Sequence, residues 1–298
     1  AGGLISADAA ASQGSSGQLL VNTTNSILTN AGIMQATNTG GLMIQNTIVK
    51  NTGGIKAINA GSTVYLDNST VQGGQLVASA GAGIATTTNN AALDGINNGA
   101  LSIVGQVNVT SQSRLDVAGT INNAGTILLN QLGATGTTNL QITSQQVVLQ
   151  GNGFGKVVMS NNGSNRIYGA NSNVQLVNVN NVISGAGQIG VNSLSLVYQA
   201  LGRIVADQTT ALVINTGGNV LRNAGIMQAT GTGGLVLSSS VIDNAGGTIQ
   251  ALGAGAHVDL SSAWVEGGTL TTSGVGAVIR STDASSVLDG ITSGVLTN

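Results

Sequence analysis

This chain contains no cysteine and no proline, and it is poor in aromatic residues (2%) and in charged ones (6%). Each shortage narrows what the protein can be. Without cysteine there is no disulfide framework of the kind that staples small secreted folds, and no thiol nucleophile. The same absence suits a protein exported unfolded, because a premature disulfide would block its passage. Without proline, no strand loses a ladder donor. Eight Lys and Arg against ten Asp and Glu leave a net charge of −2 and no basic patch to neutralise phosphates, which argues against a nucleic-acid partner. The single histidine, His257, cannot form a metal-binding cluster by itself, and no other metal or cofactor motif is present. No uninterrupted apolar run approaches the ~18 residues of a membrane-spanning helix, so a transmembrane protein is not expected. The chain starts at Ala1 rather than Met and shows no signal peptide, which reads as a mature product or a window of a longer chain.

What is present argues against disorder. Hydrophobic residues make up 41% of the 298, far more than a disordered tract carries. They are mostly Val, Ile, Leu and Ala, set among Asn, Ser, Thr, Gln and 46 Gly. β-Branched residues favour pleated strands, and Asn and Gly favour turns.

The sequence also repeats itself. NAGIMQA occurs at Asn30 to Ala36 and again at Asn223 to Ala229, an offset of 193 residues (223 − 30). TGGL ends at Leu42 and at Leu235, and NTGG at Asn51 answers NAGG at Asn244. After a one-residue insertion, STVYLDNSTVQGGQL answers AHVDLSSAWVEGGTL, and LDGI recurs at Leu93 and Leu288. Residues 30–103 and 223–298 are therefore two copies of one segment, and the chain reads as a window of a longer repeat array.

A finer period lies inside the copies. Apolar peaks fall at Ile204, Leu212, Val220, Ile226, Leu235, Val241, Ile249, Val258 and Val265, and every third peak returns after 21 to 24 residues. Within a peak, apolar and polar residues alternate, as in Val258-Asp259-Leu260, the period of a strand with one side inward. No 3.6-residue periodicity is sustained. Three short strands per coil of about 22 residues predict an all-β fold, a right-handed parallel β-helix running as one continuous solenoid over 1–298, with roughly thirteen coils. Its corners are expected at Asn30-Ala31-Gly32, Asn51-Thr52-Gly53-Gly54, Asn123-Ala124-Gly125, Asn223-Ala224-Gly225 and Asn244-Ala245-Gly246, with Gly and Asn tolerating left-handed backbone. Stacked Asn side chains are expected to form ladders.

Residues that could do chemistry are few. Glycoside cleavage needs two carboxylates roughly 5 to 10 Å apart. Asp94 and Asp289 occupy equivalent LDGI positions and are read as corner or capping residues. Asp67 gives way to Ser261 in the other copy, and Asp259 and Glu266 are assigned no acidic neighbour. His257 stands where the first copy has Thr63; with Asp259 two residues on it is read as an outward strand residue rather than a catalytic base. The string from Gly151 to Lys156 lacks the helix that a phosphate-binding loop requires. Tyr168 and Tyr198 are read as exposed surface contacts, and Trp264 as an outward residue that either packs ordinarily or offers a surface contact, as a platform for a sugar or an interface. No catalytic, cofactor-binding or metal residue is assigned.

The motifs NAGIMQAT, TGGL, N[TA]GG, LDGI, INNAGTI at Ile121 and V-x-GG-x-L at Val71 and Val265 resemble the passenger repeats of large bacterial surface proteins, the filamentous-haemagglutinin-like and autotransporter adhesins. The resemblance covers essentially the whole chain. It implies a secreted, extracellular or cell-surface, non-catalytic β-helix with a structural or adhesive role. The expected partners are further repeats or other molecules of the same kind in a fibre, and glycans or host and abiotic surfaces. A glycan-binding adhesin module is the alternative, and a β-helix polysaccharide lyase or hydrolase a more distant one.

Overall fold

The computed structural model describes residues 2–10 and 17–298, which form strands joined by turns with no helix among them. Ala1 lies outside the described residues. The strands stack in parallel as a β-solenoid of about 12 turns, three strands to a coil and roughly 23 residues per coil. At about 4.8 Å per coil this is a rod about 60 Å long. The first sheet has thirteen strands, running from Leu19–Asn22 through Leu42–Gln45 and Ile226–Ala229 to Leu296–Thr297. The second runs from Ile27–Asn30 through Ile48–Asn51 and Ser69–Gln72 to Val278–Ser281. The third runs from Leu4–Ala7 through Ile33–Ala36 and Trp264–Glu266 to Val287–Asp289. The second and third sheets merge midway, where Arg114–Asn123 and Thr138–Gln150 pass through the corner without a break.

The alternation within each strand builds the core. On the first sheet Ile204, Met227 and Ile249 lie in register and are fully buried; on the second, Leu212, Leu235 and Val258 do the same. Three of the apolar peaks read from the sequence do not belong to the core. Val220, Val241 and Ile226 face outward, and their neighbours Leu221, Ile242 and Met227 fill the interior. Each of these strands begins with two consecutive apolar residues, so hydrophobicity alone leaves the phase of the alternation open by one residue.

The five corner asparagines are buried. In three of the four Asn-Ala-Gly corners the Asn Oδ1 accepts the N–H of the glycine two residues on: Gly32 at 3.2 Å, Gly125 at 3.1 Å and Gly225 at 3.2 Å. The Nδ2 of the same side chain then donates to an asparagine farther up the stack. Asn30 bonds Asn51 at 2.8 Å, Asn123 bonds Asn181 at 2.9 Å and Asn223 bonds Asn244 at 2.8 Å. Buried amides tied in this way leave few unsatisfied polar atoms.

Of the left-handed or tight backbone expected at these corners, positive φ occurs among their glycines only at Gly246, 74°. Gly32, Gly53, Gly125 and Gly225 are glycines because the coils touch there. A Cβ would strike the carbonyl oxygen of Gly3, Gly32, Gly105 and Gly202 respectively. Left-handed backbone falls instead at the corner between the first and second sheets, on Asn46 (φ 46°), Asn68 (44°) and Asn90 (64°).

The two repeat copies do not lie on the same sides of the rod. IMQA of the first copy is on the third sheet, paired with Leu4–Ala7 and Gly54–Ala57. IMQA of the second copy is on the first sheet, between Arg203–Ala206 and Thr248–Leu252. An offset of 193 residues at roughly 23 per coil is eight coils and about a third, so the second copy is turned by one side.

Candidate functional site

The last four strands of the third sheet carry two outward columns. Val220, Val241, Trp264 and Val287 are in register, one coil apart. Two residues along each strand, Arg222, Asp243, Glu266 and Asp289 form the second column. Strand alternation imposes this pairing, since Leu221, Ile242 and Val265 between the columns point into the core. Trp264 is 43% exposed, and it and Glu266 are the only tryptophan and the only glutamate of the chain. An apolar line thus runs beside an acidic line along the rod, with steps of about 4.8 Å.

The acidic line is held by local bonds. Asp289 Oδ1 accepts the N–H groups of Ile291 (2.7 Å) and Thr292 (3.1 Å), and its Oδ2 accepts the Thr292 hydroxyl (2.6 Å). The Thr292 hydroxyl, followed by the two backbone N–H groups, holds the Asp289 carboxyl below its ordinary value. Glu266 Oε2 accepts the Ser293 hydroxyl at 2.9 Å, and Asp243 lies 3.8 Å from Arg222 Nε.

The first copy has the same two columns on the second sheet. Ile27, Ile48, Thr70 and Ala92 stack beside Thr29, Lys50, Gln72 and Asp94. Asp94 caps its turn as Asp289 does, accepting the N–H groups of Ile96 (2.8 Å) and Asn97 (3.0 Å), so the LDGI acids are turn caps in both copies. The rest of the stripe has changed between copies, with Trp264, Asp243 and Glu266 standing where the first copy has Thr70, Lys50 and Gln72.

A second polar grouping lies on the second sheet. Arg114 forks onto Asp116 (Nε to Oδ1 2.7 Å, Nη2 to Oδ2 3.0 Å), which raises the Arg114 pKa. Arg166, two strands along from Arg114, has an Nε without a partner. Farther along, Asp259 pairs with Arg280 at 2.7 Å and lies 3.2 Å from His257 Nδ1, while His257 Nε2 lies 3.2 Å from the Thr232 carbonyl. His257 is outward but half-buried by these contacts.

The three surface aromatics read from the sequence are therefore not alike. Trp264 and Tyr168 face outward. Tyr198 does not: it is fully buried, in register between Asn178 and Asn223, with no partner for its hydroxyl. It takes a ladder position where an amide would bond, and burial pushes its phenol pKa up. Glu266, assigned no acidic neighbour, lies between Asp243 and Asp289. The 23-residue spacing of these three acids was the signal for that column.

No group of His, Cys, Asp and Glu suited to a metal occurs among the described residues, and they include no helix long and apolar enough to cross a membrane. The Asp67, Asp283 and Asp289 carboxyls are all held below the usual carboxylate value by hydrogen bonds. For Asp67, burial alone would raise the value, but hydrogen bonds from Thr87, Gln45 and Asn89 outweigh it. A general acid needs the opposite displacement. A cavity of about 570 Å³ opens among Leu260, Leu270, Ile279, Leu288 and Leu296, and Leu288 lies between Val287 and Asp289 on the last strand of the third sheet. No family model, curated protein or solved structure matches this chain.

Proposed function

We propose that this chain is a non-catalytic structural and adhesive segment of a secreted bacterial surface protein or extracellular filament, of the filamentous-haemagglutinin or autotransporter-adhesin kind. The observation that carries the reading is how the recurring acids are used. Asp94 and Asp289, the carboxylates common to both copies, cap turns, and the hydrogen bonds that hold Asp67, Asp283 and Asp289 below the usual carboxylate value keep them ionised at neutral pH. Such groups stabilise a rod and present charge; they do not deliver protons. Coils stacked on shared ladders also suit a stalk, because each added coil covers the one below.

The test is to incubate the protein with a panel of acidic and neutral polysaccharides and assay for new reducing ends and unsaturated products. No turnover is expected, and electron micrographs should show stiff rods about 60 Å long for this segment. Turnover that disappears in Glu266→Gln would overturn the reading in favour of a β-helix hydrolase or lyase. A glycan-binding module is the second reading, favoured by Trp264 standing exposed beside stacked carboxylates.

A further inference from the structure

From the paired columns of the third sheet we infer that Val220, Val241, Trp264 and Val287, with Asp243, Glu266 and Asp289, form a binding stripe for a linear amino sugar polymer lying along the rod. The inference deepens the adhesive reading and rests on it.

Three observations converge. The first is placement: the stripe combines the chain's only Trp and only Glu on strands that are otherwise a copy of residues 27–94. Between the copies the buried frame is retained, as in Leu28 and Leu221, Val49 and Ile242, or Val71 and Val265. The outward positions have instead moved from Thr70, Lys50 and Gln72 to Trp264, Asp243 and Glu266. Packing does not require that change, because these side chains point away from the core.

The second is chemistry. A pyranose has an apolar C–H face and a polar rim, and an aromatic ring pairs with the former. Val241 and Val287 extend the apolar line to either side of Trp264. The carboxylates beside it are acceptors, suited to hydroxyls and better suited to ammonium groups, since a charge-assisted bond is about twice as strong as a neutral one. Three acids against the single Arg222, which is at one end of the column, repel a uronate and attract a protonated amine.

The third is shape. The stripe lies on the outer surface of a sheet, and its strands Val220–Asn223, Val241–Asp243 and Trp264–Glu266 pair on both sides, so a peptide cannot add among them as a further strand. Sites repeat with every coil along one straight line, which fits a polymer whose own units repeat.

Because Trp264 is the only tryptophan, its fluorescence reads this stripe in the intact chain. The experiment is a titration with oligomers of glucosamine and, in parallel, of galacturonic acid of equal length. The expected result is a saturable change in Trp264 emission with the glucosamine oligomer, weakened by salt, and none with the uronate. Trp264→Thr, which restores the first copy's residue, should weaken binding measured by calorimetry roughly tenfold. Glu266→Gln, also the first copy's residue, should weaken it with the indole still in place, so the test survives if Trp264→Thr does not fold. The inference is overturned by an unchanged emission, by equal binding of the uronate, by binding indifferent to both substitutions, or by an oligolysine peptide that binds more tightly than the sugar. Any of these leaves the rod reading standing, because that depends on turnover and particle shape.

Discussion

Residues 30–103 and 223–298 are the same sequence idea on different sides of one rod. Met34 and Met227 hold equivalent positions in NAGIMQA, yet one packs from the third sheet and the other from the first. Both are buried, and both follow an Asn-Ala-Gly corner with the same Asx contact. A segment that keeps its packing when turned by a third of a circle shows that the three sides are equivalent hosts. What matters to it is the order of strand and corner, and the neighbour one coil away.

The strongest way to break that equivalence is through the core. Met34→Ala and Met227→Ala should each lower stability by about 2–5 kcal/mol, and by similar amounts, in denaturant unfolding. A loss at one site only would mean that the sides are not interchangeable. The corner ladder comes next. Asn30→Ala and Asn223→Ala each leave a buried amide oxygen or N–H without its partner, and each should cost about 1–3 kcal/mol.

Acid separates the copies. Asp67 is held below its ordinary value, and the second copy has Ser261 in its place. A carboxyl with a depressed folded value contributes stability above the unfolded value near 3.8, and that contribution is lost as pH falls through the folded value. Asp67→Ser should therefore flatten the decline of melting temperature on acidification below about pH 4 while leaving its slope near neutrality unchanged. A decline as steep as in the unaltered chain would remove Asp67 as a cause. The smallest effect is expected at Tyr198→Phe, which deletes a buried hydroxyl that has no partner and should change stability by less than about 1 kcal/mol. A larger loss would place an unseen partner on that oxygen.

The sequence was most legible where periodicity spans several coils. Repeat, strand count and parallel stacking follow from the return of apolar peaks, and Ile249 is in the core as its period requires. Legibility failed at single-residue phase. Val220-Leu221, Ile226-Met227 and Val241-Ile242 are apolar pairs, and the corner chosen by the chain decides which member turns inward. It failed again at Tyr198, where a large polar aromatic sits in an amide ladder, an arrangement that composition gives no reason to expect. The left-handed Asn46, Asn68 and Asn90 lack the glycine that draws attention to the Asn-Ala-Gly corners. Trp264 was visible as an outlier, but its acidic companions appear only when the coil period is carried through the charged residues as well as the apolar ones.

The turn by one side also governs geometry between the copies. The stripe of residues 27–94 and the stripe of residues 220–289 are separated by about 40 Å along the axis, at roughly 4.8 Å per coil, and they face different directions. A flat surface laid against the rod can touch one of them and not the other. A ligand lying along the stripe of residues 220–289 therefore gains no avidity from the stripe of residues 27–94.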